Sequence, residues 1–179
     1  NVELDLAKRD DGWHISSDNI WFDNDEVTLA AELQISLTDD PRLDLYAEAF
    51  APDANIADHY FPLKAMSPEL VSYLNDAIKG GEVSKAQVLF AGPLSGFPFT
   101  DGSGQFDVLA QIDNATYEFD PDWPAVTNAN VQLHFANERM DIYSQQGKLV
   151  NLDIGNSVQV SIADLMNADE LIVQIDKKA

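Results

Sequence analysis

The sequence predicts a mainly β protein: a long antiparallel meander curled into a groove or a sandwich, with one α-helix near residues 67–79 packing on the sheet. Three observations predict it. Apolar residues alternate with polar ones along most of the chain, the period of a strand with one greasy face and one wet face. Short turn signals rich in Asp, Asn, Gly and Pro separate the alternating runs. One stretch alone breaks the alternation with helical spacing.

Val2, Leu4 and Leu6 alternate with Glu3 and Asp5, and Asp10-Asp11-Gly12 turns the chain towards Trp13 and Ile15. Glu26–Leu37 is the clearest run: Val27, Leu29, Ala31, Leu33, Ile35 and Leu37 occupy every second position. At about 3.3 Å per residue it spans roughly 40 Å, so it requires long neighbours. After Asp39-Asp40-Pro41 come Leu43, Leu45, Ala47 and Ala49. The segment 51–66, with Pro52, Tyr60, Phe61 and Pro62, reads as a loop or short helix.

Ser67 is placed as the N-cap of the helix, Pro68 at its first position and Glu69 near its positive end. Leu70, Val71, Leu74 and Ile78 form its apolar stripe, and Lys79 with Gly80-Gly81 ends it. Further strands are read at Phe106–Ile112, Ala115–Phe119, Ala129–Phe135, Met140–Ile142, Val150–Ile154, Val158–Ile162 and Leu171–Ile175. The expected organisation is a single β-rich domain over 1–179, with lobes 1–60 and 82–179 around the helix as an alternative. Asn1 is not a natural start, so the chain reads as a piece of something longer.

There are 31 acidic and 10 basic residues, a formal net charge of −21. Such a surface repels phosphate backbones and argues against nucleic-acid binding and against docking on anionic headgroups. The chain has no cysteine, which excludes thiol catalysis, cysteine zinc sites and disulfides. It contains no run of 18 apolar residues long enough to span a bilayer as a helix.

The three histidines do not assemble into chemistry: His134 falls on the polar side of its strand, and His14 and His59 form no metal-ligand spacing. Ser95 sits one place off a nucleophile elbow, and Ser103 lies in a turn. The acidic runs 23–26 and 101–107 lack the spacing of a calcium loop, and turn chemistry accounts for both. Phe97-Pro98-Phe99 and Pro121-Asp122-Trp123-Pro124 read as corner packing. No catalytic residue, metal or cofactor is expected, and the protein is read as non-enzymatic.

Motifs in one order cover more than half the chain: Met66-Ser-Pro-Glu-Leu-Val-Ser-Tyr-Leu74, Gly81-x-Val83, Phe90-x-Gly-x-Leu94, Phe97-Pro-Phe99, Gly104-x-Phe-x-Val108, Ala115-Thr-Tyr-x-Phe-x-Pro-Asp-Trp-Pro124, Phe135-x-Asn-Glu-Arg-Met-Asp-Ile142 and Val158-x-Val-x-Ile162 leading to Asp164-Leu165. From Phe61 to Leu165 the chain thus resembles the central region of the YhdP family, within the AsmA-like superfamily of bridge-like lipid-transfer proteins. The resemblance implies a periplasmic segment of a protein anchored in the inner membrane of a Gram-negative cell. It implies a long folded sheet enclosing an apolar channel, with phospholipid acyl chains and the rest of the parent chain as partners.

Elementary energetics fits that expectation. Each buried CH₂ is worth about 0.8 kcal/mol, so a 16-carbon chain costs on the order of 13 kcal/mol to place in water. A carrier needs a continuous uncharged surface, which a curled alternating sheet supplies while pairing its own backbone. The lining expected from alternation is Val27, Leu29, Leu33, Ile35, Leu37, Leu43, Leu45, Val131, Leu133, Phe135, Val158, Val160, Ile162, Leu171, Val173 and Ile175. The alternative is a structural or protein-interaction β-sandwich whose apolar face is closed against a second layer.

Overall fold

The computed structural model describes residues 1–60, 68–118, 122, 124–144, 146–150, 152–153, 158–165 and 172–175. Within them, twelve strands belong to one antiparallel sheet. Strands β1 (Asp5–Arg9), β2 (Gly12–Asp23), β3 (Thr28–Leu37) and β4 (Arg42–Ala51) follow one another through short turns. A 3-10 helix (Ala54–Tyr60) and α1 (Pro68–Ala77) precede β5 (Ile78–Pro93). The series continues with β6 (Gln105–Tyr117), β7 (Val126–Ala136), β8 (Arg139–Ser144), β9 (Lys148–Leu149), β10 (Leu152–Asp153), β11 (Val158–Ile162) and β12 (Ile172–Ile175). Spatial order follows chain order from β1 to β8, then β11 and β12, while the β9–β10 hairpin pairs with the start of β7. The meander expected from alternation is therefore the fold.

Three elements differ from expectation. Helix α1 stops at Ala77, and the chain passes directly into β5 at Ile78. Ile78 and Lys79 are strand residues, and the Ala77 carbonyl accepts the Glu118 N–H at 2.8 Å. Gly81 does not stop a helix. At φ 132° it lies where a Cβ would come 2.8 Å from Ile112 Cγ2 and 2.9 Å from Ala115 Cα, so close strand packing requires glycine.

Strand β5, with 16 residues, is the longest in the sheet and falls where the alternation reads poorly. Its apolar phase runs Ala86, Val88, Phe90, but Val83 sits three residues before Ala86. A bulge explains the slip: Ala49 pairs with Ala86 and Ala51 with Val83, two steps on β4 against three on β5. The third difference has the same cause. The runs 106–112 and 115–117 are one strand, β6, interrupted by a bulge with Asn114 at φ 52°.

Similar shifts occur in β2 between Ser17 and Ile20, and in β7, where Asn128 adopts φ 51° between Val126 and Ala129. Each extra residue keeps the next apolar side chain on the same face, where a simple continuation would flip it. Asparagine suits the left-handed positions because its short amide tolerates them. Ser67, Phe119, Ile154 and Leu171 lie outside the described residues.

The buried core gathers at the α1 end and over the later strands. Leu74 and Ala77 of α1 cluster with Ile112, Tyr117, Val131, Leu133, Met140, Ile142, Val160 and Leu165. On the opposite face the polar residues bond to each other. Arg139 grips Asp141 at 2.6 and 2.7 Å, and the Ser161 hydroxyl donates to the same carboxylate.

Candidate functional site

Strand pairing assembles the apolar residues into rows that cross the sheet, because directly opposed residues share a face. One row runs Phe22, Leu29, Ala49, Ala86, Ala110, Leu133, Ile142, Val160 and Val173, from β2 to β12. The next runs Ile20, Ala31, Ala47, Val88, Val108, Phe135, Met140 and Ile162. A third carries Leu33, Leu45, Phe90 and Phe106, and a fourth carries Leu6, Ile15, Ile35 and Leu43. At about 4.8 Å between strands, the nine-residue row extends roughly 38 Å. No charged residue interrupts any of these rows.

Exposure divides the face in two. Over β1–β4 most of it is open: Leu29, Leu33, Ile35, Leu43 and Leu45 are only half-buried, and Leu6, Phe22 and Leu37 are 61%, 47% and 43% exposed, while Ser17 and Ala47 on the same face are buried. Over β7, β8 and β11 it is sealed, with Val131, Leu133, Val158 and Ile162 buried and Met140 and Val160 at 0%. Phe135 is half-buried. Val27 stands just before β3 and is 5% exposed, its N–H held by Asn24 Oδ1 at 2.7 Å. Val173 and Ile175 enter by register, opposite Val160 and Val158.

Both margins of the middle strands are roofed. At one end stands α1, through Leu74 and Ala77. At the other, the loop between β5 and β6 folds back and lays Phe99, 1% exposed, over Gly92 and Gly104. A Cβ on either glycine would fall 2.7 or 2.5 Å from that ring, so bare backbone is the seat of the phenyl group. Phe90 meets Phe99 at 5.2 Å and Phe97 meets Phe106 at 5.3 Å, edge to face. The aromatic–proline turn at 97–99 is corner packing, as its composition suggests.

Several residues of this face are absent from the lining expected from the sequence: Ile15, Ile20 and Phe22 on β2, Ala86, Val88 and Phe90 on β5, and Phe106, Val108 and Ala110 on β6, although Ile15 and the 106–110 run are read there as alternating strand residues. The 86–88–90 alternation was an available signal, hidden by the phase slip at Val83.

The polar face holds ordinary surface chemistry. His134 sits 3.3 Å from Asp107 Oδ1 on the water side. His14 contacts Asp11 and the Ser36 hydroxyl, each at 3.0 Å. A shallow depression of about 220 Å³ also opens there, lined by Asp18, Glu32, Gln34, Asp44 and Tyr46 together with Leu33, Leu45, Leu89, Phe90 and Ala91. Among the described residues no metal-binding group of His, Asp and Glu occurs, and no helix is long and apolar enough to cross a membrane.

A family model described as YhdP protein matches residues 1–179. The intermembrane phospholipid transporter YhdP of Escherichia coli (strain K12) is 41% identical over 100 residues, covering 56% of this chain and 8% of that protein. The match thus spans only a small part of that relative's length. No solved structure matches the chain.

Proposed function

The chain belongs to the YhdP family, and from that premise we propose that it is one non-enzymatic section of a periplasmic conduit carrying phospholipids between the inner and outer membranes. Acyl chains lie along the apolar rows, and headgroups stay in water at the margins. The rest of the parent protein, anchored in the inner membrane, continues the path.

The carrying observation is the nine-residue apolar row from Phe22 to Val173, on a face left half-exposed over β1–β4. A sheet that only needed a core would bury these side chains, since leaving each one in water forfeits about 1.5–3 kcal/mol. The lining we assign follows that face. Leu29, Leu33, Ile35, Leu37, Leu43 and Leu45 form the open part. Val27, Val131, Leu133, Val158, Val160 and Ile162 belong to the same face where it is buried, Phe135 is half-buried beside them, and Val173 and Ile175 follow by register.

A photo-crosslinking amino acid at Leu33 tests the proposal in cells, with Glu32 as the control on the opposite face. Phospholipid captured at 33 and not at 32 supports it. Equal capture, or none, rejects it. The competing reading, a closed protein-binding domain, draws on the wholly buried Met140 and Val160. It predicts capture of protein, not lipid, on the open strands.

A further inference from the structure

Lys8 occupies an anomalous place. It lies opposite Trp13, which lies opposite Leu37, and this row borders the apolar row of Leu6, Ile15 and Ile35 on the same face. A cation therefore stands where the greasy face meets the turns at its margin. Other cations are placed differently: Arg42 and Arg139 are bound to Asp44 and Asp141, and by register both lie on the polar face with Lys85. Lys8 makes no ion pair among the described residues. Its ammonium instead rests 5.8 Å from the centre of the Trp13 ring, which is 46% exposed.

An ammonium beside an amphipathic indole at an apolar–aqueous boundary matches the phosphate and ester region of a phospholipid. The turns at this end of the sheet carry Asp10, Asp11, Asp39 and Asp40. In a chain of net charge −21 they repel a headgroup with net negative charge and attract an ammonium. We propose that Lys8 and Trp13 form a headgroup site for a zwitterionic phospholipid. Lys8 pairs with the phosphodiester, Trp13 covers the ester region, and the acidic turns face the headgroup ammonium. The site rests on the proposed function, because the acyl chains of that lipid occupy the row of Leu6 and Ile15.

The test uses the purified chain and three probes with the same diazirine-bearing acyl chains: a phosphatidylethanolamine, a phosphatidylglycerol and a diacylglycerol. Wild type should capture phosphatidylethanolamine better than phosphatidylglycerol. Lys8→Gln should lower phosphatidylethanolamine capture about three- to five-fold, the range of an exposed ion pair, with Lys8→Arg close to wild type. Capture of diacylglycerol, which lacks the phosphate, should not change in either variant. Trp13→Ala should lower phosphatidylethanolamine capture as well.

If Lys8→Gln captures phosphatidylethanolamine as well as wild type while diacylglycerol is captured, the headgroup site is wrong and the apolar trough stands. If diacylglycerol is not captured at all, the trough and the site both fall. Soluble glycerophosphoethanolamine at equal concentration should not compete. If it does, the site serves a free phosphodiester and the lipid assignment is overturned.

Discussion

Leu33 stands directly opposite Leu45 across β3 and β4, while its neighbour Glu32 stands opposite Tyr46 on the other face. Both leucines are half-buried. Water already reaches them, so Leu33→Asp adds a charge without stranding it in a dry interior. We expect the variant to keep a cooperative thermal transition within a few degrees of wild type and to lose lipid capture. Circular dichroism melting and crosslinking at Leu45 check this. A molten variant would mean that the face is an ordinary core.

The sealed end should answer differently. Met140 is 0% exposed and lies between Phe135 and Ile162 in its row. Met140→Ala leaves a cavity and should cost about 2–4 kcal/mol in urea unfolding. Leu29→Ala, on the half-exposed part of the face, should cost less than half of that. Equal losses would contradict the division of the face into open and closed parts.

Phe99 closes one margin of the middle strands. Phe99→Ala should destabilise by about 3–5 kcal/mol. Gly104→Ala should also destabilise, because its Cβ would meet the Phe99 ring at 2.5 Å, and the double variant should be less damaged than the two losses added together. Strict additivity in a double-mutant cycle would show that ring and glycine do not share one seat.

Asp141 supplies a pH signature. Hydrogen bonds from Arg139, then from Ser161, hold its carboxyl below the usual carboxylate range against the opposing effect of burial. A carboxyl with a depressed folded-state value stabilises the fold above its unfolded value. That contribution fades as pH drops below about 4 towards the lower folded value. Asp141→Asn should therefore cost about 1–3 kcal/mol near pH 7, and the gap should narrow below about pH 4. Urea unfolding of both proteins from pH 7 to pH 3 measures it. A gap constant over that range would contradict the account.

Alternation made most strands legible. Leu29 to Leu37, Leu43 to Ala49 and Val158 to Ile162 sit in strands where their period of two places them. Legibility failed where the chain inserts a residue. Val83–Ala86 and Ile112–Ala115 each slip by one position, so β5 went unread and β6 was divided. A bulge is a pairing event between two strands, and nothing local to Ser84 or Asn114 announces it. Gly81 misled for a related reason: its lack of a side chain serves a contact with Ile112, distant in sequence, and not the end of α1. The apolar phase identified Leu33 and Leu133 as sharing a face. It could not show that one would stay half-exposed and the other be buried, because cover depends on where α1 and the Phe99 loop settle.

Native mass spectrometry of the chain purified from cells without detergent tests the central claim most directly. The account predicts a population carrying the added mass of one or more phospholipids, released on activation and lost in Leu33→Asp. A lipid-free spectrum, from protein that crosslinks no acyl chain at Leu33 or Leu45, would contradict it.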